Sequence, residues 1–434
     1  MDIPFSKHTL ANGLDVLLHE SHGCPIVAVN IWYHVGSKNE RPGHTGFAHL
    51  FEHLMFEGSQ HHDSGFFQPL QAAGASLNGS TNADRTNYWE VVPASALDLA
   101  LWMESDRMGY LLPALTAQKF ANQRDVVLNE RRQNYENRPY GLASMAMLAT
   151  LYPDDHPYHW TTIGEIADLR AAKVEEAHEF FRRYYHPANA SIVLAGDFDS
   201  EAALALVRSY FEGIPAGPRV ESVKRAASLD AERRIYLEDR VELPRLYLAW
   251  LTPAMYADGD ADLDLATDLL ANGKTSRLYR RLVYEERIAI DVSASQSSRE
   301  MSSFVQMSAT AAPGHTLTEI DRVISEEINA VAGDGPTDDE IERGRVQAET
   351  HFMQRLQTVG GFGGKSDQLN AYNTFLGRPD YFTEDLGRYE QVTKASLQRA
   401  VAQYLRDSRR VVLSVVPRGR LDLVIADSSP VAVS

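Results

Sequence analysis

Two histidines and a glutamate fall within five positions of the stretch HTGFAHLFEHLMFEGS, residues 44–59. On a helix at about 100° per residue, Phe47, Leu50, Phe51, Leu54 and Met55 form one apolar stripe. His49, Glu52 and His53 fall together on the opposite side. Histidines four apart sit one above the other on a helix face, close enough for both imidazoles to bind one metal ion. A glutamate one residue before the second histidine is near that ion without needing to ligate it. It can instead take a proton from water that zinc acidifies toward a pKa of roughly 7. The order H-x-x-E-H inverts the metallopeptidase motif H-E-x-x-H. The competing reading is polar decoration on a solvated face. The coherent grouping of the three side chains, with Phe56 turned toward them, weighs against it.

A catalytic zinc site usually has three protein ligands and one open position. The region FANQRDVVLNERRQNYENRPYG reads as helical up to a break at Asn137–Pro139 and offers Asp125, Glu130 and Glu136. Spacing alone does not choose among these carboxylates.

The elements that must position such a site recur in two halves. The first opens with the alternating segments HTLANGLDVLLHE, where Asn12-Gly13 signals a hairpin, and IVAVNIWYHVG. Helices over 45–57 and 65–74 follow, then a strand pair in SLNGSTNADRTNYWEVV and the helix ASALDLALWMESDRM. Helices around 116–136 and 172–185 lead to a closing strand, ASIVLAGDF. The second half runs from YLAWLTPAM through helix LDLATDLLAN to a strand pair in IAIDVSASQSS and FVQMSATAA. Helices LTEIDRVISEEINAVA, 337–357 and 394–406 then precede RRVVLSVVP. Neither half alternates strand and helix strictly, so the fold class is α+β with mostly antiparallel sheets packed with helices. The shared element order points to an internal duplication. Between about Ile214 and Arg233 the chain has Pro, Gly and charges but no apolar period. The expected domains are thus 1–215, bearing the metal motif; a linker, 216–232; and a homologous domain without that motif, 233–434.

The length of 434 residues suits two or three domains. The net charge of −17 argues against nucleic acid and suits neutral or cationic partners such as basic peptides. The single Cys24 excludes an internal disulfide framework and a Cys-rich zinc site. No apolar run approaches the roughly 20 residues of a membrane span. The N-terminal MDIPFSKHTLANGL has no apolar signal core, which points to the cytoplasm as the sequence stands and to the periplasm if a leader has been removed.

HLFEHLMFEGS, LNGSTNADRTNYWEVV, NQRDVVLNERRQNYENRPYG and HPYHWTTIG together resemble the pitrilysin-type zinc peptidases, the family of insulysin and the mitochondrial processing peptidase. The match is specific in the first half. It is diffuse in the second, where GKTSRLYRRLVYEERIA fits best. The resemblance implies zinc held by His49, His53 and a glutamate about 77 positions further on, which falls on Glu130, with Glu52 as general base. It also implies a substrate-binding edge strand starting at Asn78 and Gly79, which would hold an extended peptide by main-chain hydrogen bonds. The family often has a second glutamate seven positions before the third ligand, where this chain has the uncharged Gln123. The family's transition state is typically helped by an Arg and a Tyr from the domain without metal, and the matching strand SSFVQMSATAAPGHT has neither. The expectation is therefore a zinc peptidase that closes a chamber as a dimer, with a homologous subunit supplying the missing pair. The alternative is a non-catalytic assembly subunit of the same fold. Such subunits tend to lose metal ligands, whereas this chain keeps the full set.

Other signals carry blander readings. GGFGGKS, 360–366, lacks the first glycine of a phosphate loop and follows a helical stretch, so it reads as a hinge or loop. His61 and His62 read as an exposed turn, and DDHPYHW as a structural loop. Trp89 and Trp102 default to core packing.

Overall fold

The computed structural model describes residues 3–406 and 408–433. The chain orders β1 (Ser6–Thr9), β2 (Asp15–Glu20), β3 (Ile26–Tyr33), α1 (Phe47–Leu54), α2 (Phe67–Ala72), β4 (Ser76–Thr81), β5 (Thr86–Pro93), α3 (Leu97–Ala114) and α4 (Ala117–Arg131). It continues with α5 (Ala143–Leu151), α6 (Ile166–Ala171), α7 (Val174–Tyr184), β6 (Ala190–Gly196) and α8 (Ser200–Phe211). The second half has β7 (Arg233–Asp239), β8 (Arg245–Thr252), α9 (Asp260–Ala271), β9 (Ala289–Ser297), β10 (Ser303–Ala311), α10 (Leu317–Asp334) and α11 (Asp338–Leu356). Last come α12 (Lys365–Leu376), α13 (Phe382–Glu390), α14 (Lys394–Tyr404), β11 (Val411–Pro417) and β12 (Ser429–Pro430).

The strands form two six-stranded sheets, ordered β1-β2-β6-β3-β5-β4 and β12-β7-β11-β8-β10-β9. Pairing is antiparallel except for β2 with β6, β7 with β11 and β7 with β12. The central strands β3 and β6 are buried almost throughout, and their near-continuous apolar runs IVAVNIWY and ASIVLAG fit strands covered on both faces. The α+β class and the duplicated sheet order agree with the sequence pattern. At the expected hairpin, Gly13 takes a φ of 90°, and the Asn12 amide donates to the Phe211 and Ile214 carbonyls at 2.7 and 3.0 Å.

The strands of one sheet all come from residues before 197 and those of the other from residues after 232. The stretch between α8 and β7, which holds the expected linker, contains no helix or strand. The compact units nevertheless cut across a division at 215 and 233. One unit comprises the chain up to Asn129, Thr162–Val223 and Phe352–Thr383; the other comprises Glu130–Thr161, Lys224–His351 and Glu384 onward. In the first unit, α12 from late in the chain packs on β3 and β6. In the second, α5 from early in the chain packs on β8 and β11. The α12 contact is polar. Asp367 accepts from Asn30, Trp32 and Asn87 at 3.3, 2.9 and 3.1 Å, and Asn370 accepts from Ser191 at 2.7 Å. These buried groups satisfy one another, as burial of polar atoms requires.

Candidate metal centre

The helix that carries the H-x-x-E-H motif is fixed at its start and along its apolar stripe. Gly46 precedes α1 with a φ of 86°, and a Cβ there would stand 2.9 Å from the Ile163 carbonyl oxygen. Conformation and close approach both demand glycine. The Glu40 carboxylate accepts from the backbone N–H groups of Gly46 and Ala48 at 3.0 and 2.7 Å, which satisfies donors at the helix N-terminus and favours its dipole. Phe47, Leu50, Phe51 and Leu54 are buried. Phe51 lies against Phe180 and Tyr185, with ring centroids 5.3 and 5.1 Å away. That stripe sets the rotation of α1 and leaves His49, Glu52 and His53 half-buried on its other side.

The His49 and His53 rings lie 4.9 Å apart, centroid to centroid, with planes at 83°. Glu130 follows directly on Asn129 in the last turn of α4. One ligand atom each from His49, His53 and Glu130 lie within 4.8 Å of one another, and this is the only such group among the described residues. Donors about 2 Å from a tetrahedral zinc are about 3.4 Å apart, so small side-chain rotations would close the three atoms onto an ion. Two imidazole nitrogens and one carboxylate oxygen are a donor set that zinc accepts. Asp125 and Glu136 take other places. Asp125 is exposed, with its nearest cation Arg124 at 3.9 Å, and Glu136 accepts from Arg131 at 2.7 Å.

The hydroxyl of Thr81, at the end of β4, donates to Glu52 Oε2 at 2.7 Å. Nothing in the sequence reading singled out Thr81. The available signal was its place in SLNGST, on the strand that the resemblance put beside the site. Arg85 donates to the carbonyl and hydroxyl of Ser80 at 2.9 and 2.7 Å. Burial lowers the pKa of its guanidinium, while the charges of Asp367, Glu52 and Asp84 oppose that shift.

Gln123 lies two turns before Glu130 on α4, and its amide donates to Glu57 Oε1 at 2.5 Å. Lys119 donates to the Glu57 carbonyl at 3.0 Å. Together they latch α4 to the turn after α1. β4 is an edge strand, paired on one side only, with Asn78 opposite Trp89 and Gly79 opposite Tyr88. Asn78 is exposed, and its side-chain oxygen accepts from the Gly79 N–H at 2.8 Å. A Cβ on Gly79 would meet Phe56 and Tyr88 at 3.1 Å, so the glycine makes room for an aromatic pair beside the motif.

The remaining sequence signals resolve into structure. His61 pairs with Asp106 at 2.5 Å and His62 approaches the Gly65 carbonyl at 3.2 Å. His156 and His159 sit on backbone groups of Tyr158 and Tyr152 at 3.1 and 2.9 Å. The glycine-rich segment is a turn leading into α12, where a Cβ at Gly360 would clash with Val91 and Ala28 at 2.6 and 2.7 Å. Trp89 and Trp102 are only half-buried, and Trp89 meets the exposed Phe362 edge-on. Core packing therefore overstates both tryptophans. β10 indeed lacks Arg and Tyr, but its neighbour β8 has both: Arg245 opposite Thr310 and Tyr247 opposite Ser308.

Comparisons with known proteins place the chain in a family. Residues 15–158 match the family model described as insulinase (peptidase family M16), and residues 171–347 match the one described as peptidase M16 inactive domain. The chain is 27% identical over 418 residues to the zinc protease PqqE of Helicobacter pylori, covering 94% of this chain and 92% of that protein. It is 22% identical over 423 residues to a probable mitochondrial-processing peptidase subunit beta of Arabidopsis thaliana, covering 94% and 78%. A crystal structure of a protease from Helicobacter pylori has the same fold, with a TM-score of 0.88 at 24% identity over 96% of this chain and 100% of that one.

Proposed function

We propose a hydrolytic function from one premise: the chain belongs to the insulinase family of peptidases, M16. The chain is a zinc-dependent peptidase that hydrolyses extended peptides, with His49, His53 and Glu130 holding the ion. The observation that carries this is the convergence of those three side chains around one point, next to a glutamate that is oriented but not part of the ligand group. When bound, zinc supplies Lewis acidity to the scissile carbonyl and a lower pKa to water.

The chain's own groups do the rest. Glu52 takes the proton of the attacking water and later gives it to the leaving amine nitrogen. Thr81 fixes one oxygen of that carboxylate and so sets the direction of the other. The edge of β4 offers backbone pairing to an extended peptide, with Asn78 and Gly79 at its middle, the strand starting two residues earlier at Ser76. The half of the chain without the metal motif would help enclose a chamber, completed by a second copy or a homologous subunit. No described helix is long and apolar enough to cross a membrane.

The test is Glu52→Gln. It should keep about one zinc per chain by metal analysis while losing nearly all turnover of a mixed peptide library. Unchanged hydrolysis overturns the assignment of Glu52, and a wild-type chain that takes up no zinc favours a non-catalytic subunit instead. Full activity of the chain as a monomer would remove the need for a partner.

A further inference from the structure

The second unit contains a cavity of about 530 Å³ whose lining includes Glu130, Arg138, Tyr140, Arg245, Tyr247 and Gln306. Arg245 is held there from several sides. Its Nε donates to the Thr310 hydroxyl at 2.7 Å, one terminal nitrogen meets Asp291 at 3.4 Å and the other meets the Tyr247 hydroxyl at 3.5 Å. Its plane lies over the Tyr140 ring, 3.9 Å from the centroid. A guanidinium has five N–H groups, so two remain after these three contacts.

Tyr140 is itself under constraint. Its φ of 61° is left-handed, a conformation that an aromatic residue adopts only under constraint. Its N–H donates to Asp239 at 2.7 Å and its hydroxyl to the Leu243 carbonyl at 2.8 Å. The result is a ring fixed beneath the guanidinium. Arg138, exposed on the same wall, has no ion pair among the described residues. The only carboxylate on the lining is Glu130, which a bound metal would claim. What is left is a set of donors: the remaining N–H groups of two guanidinium groups, the Tyr247 hydroxyl and the Gln306 amide.

We propose that this cavity is a subsite for a carboxylate of the peptide substrate, whether an acidic side chain or a free C-terminus, on a residue lying beside Glu130. The inference rests on the peptidase reading above and adds a substrate class to it. Planar guanidinium groups match carboxylates in geometry as well as charge. The overall charge of −17 favours neutral or basic partners at long range, but two guanidinium groups on one cavity wall act at distances well inside the screening length of about 8–10 Å. An Arg–Tyr pair that served the transition state would aid all peptides alike. This cavity separates them by charge.

The test uses two matched peptide series: Glu against Gln at each internal position, and free acid against C-terminal amide. Wild-type protein should cleave the acidic member roughly 10–100-fold better, the range expected of charge-assisted hydrogen bonds. The series that shows the preference identifies the source of the carboxylate. Arg245→Gln and Arg138→Gln should each move the ratio toward one. A ratio near one in the wild type overturns the proposal, as does an equal loss on acid and amide in both variants. Arg138 is exposed, so its variant keeps the test alive if Arg245→Gln fails to fold. Zinc-loaded Glu52→Gln supplies an independent binding arm by fluorescence anisotropy. Acid-selective binding without cleavage by the wild type sinks the hydrolase reading and leaves the subsite standing. Cleavage with no acid selectivity in either arm does the reverse.

Discussion

The two sheets share the order of five strands and differ at one edge, where β1 runs antiparallel to β2 and β12 parallel to β7; the helices α1 and α9 occupy the same place in that shared order, each following a left-handed glycine, Gly46 or Gly259. Counting from those glycines, His49, Glu52 and His53 correspond to Asp262, Leu265 and Ala266. Leu265 and Ala266 are buried at 2% and 0% exposure, and Leu265 packs so tightly on α11 that a Cβ at Gly344 would stand 3.1 Å from it. One architecture thus serves two ends. Where the first unit keeps three polar groups on this face, the second buries Leu265 and Ala266 and leaves only the half-buried Asp262 polar. A helix face in this fold is neutral ground, and three side chains decide whether it becomes a site or a core.

That contrast predicts opposite failures at matching positions. His53→Ala removes a ligand and should abolish zinc binding and peptide turnover, a loss of at least about a thousandfold, while leaving the unfolding midpoint of the metal-free chain almost unchanged. Leu265→Ala should cost about 2–5 kcal/mol of stability in denaturant titration, through lost burial and a cavity against α11, and should keep its zinc. If Leu265→Ala lost metal with its fold intact, the division of labour between the two faces would be wrong.

The half with the H-x-x-E-H motif was the more legible one because the chemistry of such a motif is local. His49, Glu52 and His53 lie within little more than one helical turn, and the apolar stripe opposite them reads directly from the sequence. Glu130 was reached only through resemblance, since Asp125 and Glu136 have the same chemistry and nothing local separates them. Thr81, Arg245 and Tyr247 stayed hidden because their neighbours lie far along the chain, Glu52 on a helix for Thr81 and β10 for the other two. The sequence pattern also passed over α5, α6, α8, α12 and α13. In α5, ASMAMLATL is apolar on nearly all sides and has no amphipathic period to detect. In α12 the buried face is polar, with Asp367 and Asn370 turned inward, so hydropathy points the wrong way.

Charge sharpens the comparison further. Within the second unit, α9 carries Asp264, whose pKa is pushed up to about 7, first by desolvation and then by the charge of Asp260, against the hydrogen bond from Tyr389 at 2.7 Å. Between its ordinary value of 3.8 and about 7, the folded chain holds a proton that the unfolded chain has released. Proton uptake on folding means that this group's contribution to stability falls as pH rises through that window. Asp264→Asn should remove that slope. The variant should gain relative to wild type by about 1–2 kcal/mol at pH 8 over pH 4, the figure being reduced because Asp264 is only half-buried. Parallel urea titrations at several pH values measure the difference. An unchanged slope would mean that Asp264 titrates alike in both states, so that its place on α9 carries no cost of desolvation.

The smallest predicted effect lies back on the metal-bearing side. Thr81 reaches Glu52 from the edge strand β4, and Thr81→Val keeps shape and β-propensity while deleting the hydroxyl that meets Oε2 at 2.7 Å. The carboxylate then gains rotational freedom, and fewer of its orientations place a basic oxygen toward the attacking water. kcat should fall by roughly tenfold, the worth of about one charge-assisted hydrogen bond, with zinc content and KM near wild type. The pH profile adds a second readout. Removing a donor to the ionised carboxylate disfavours that form, so the acidic limb of kcat should move to higher pH. A fall in zinc content without that displacement would mean that Thr81 supports the helix and its ligands, not the base. Orientation of a proton acceptor from a neighbouring strand would then no longer be part of what separates α1 from α9.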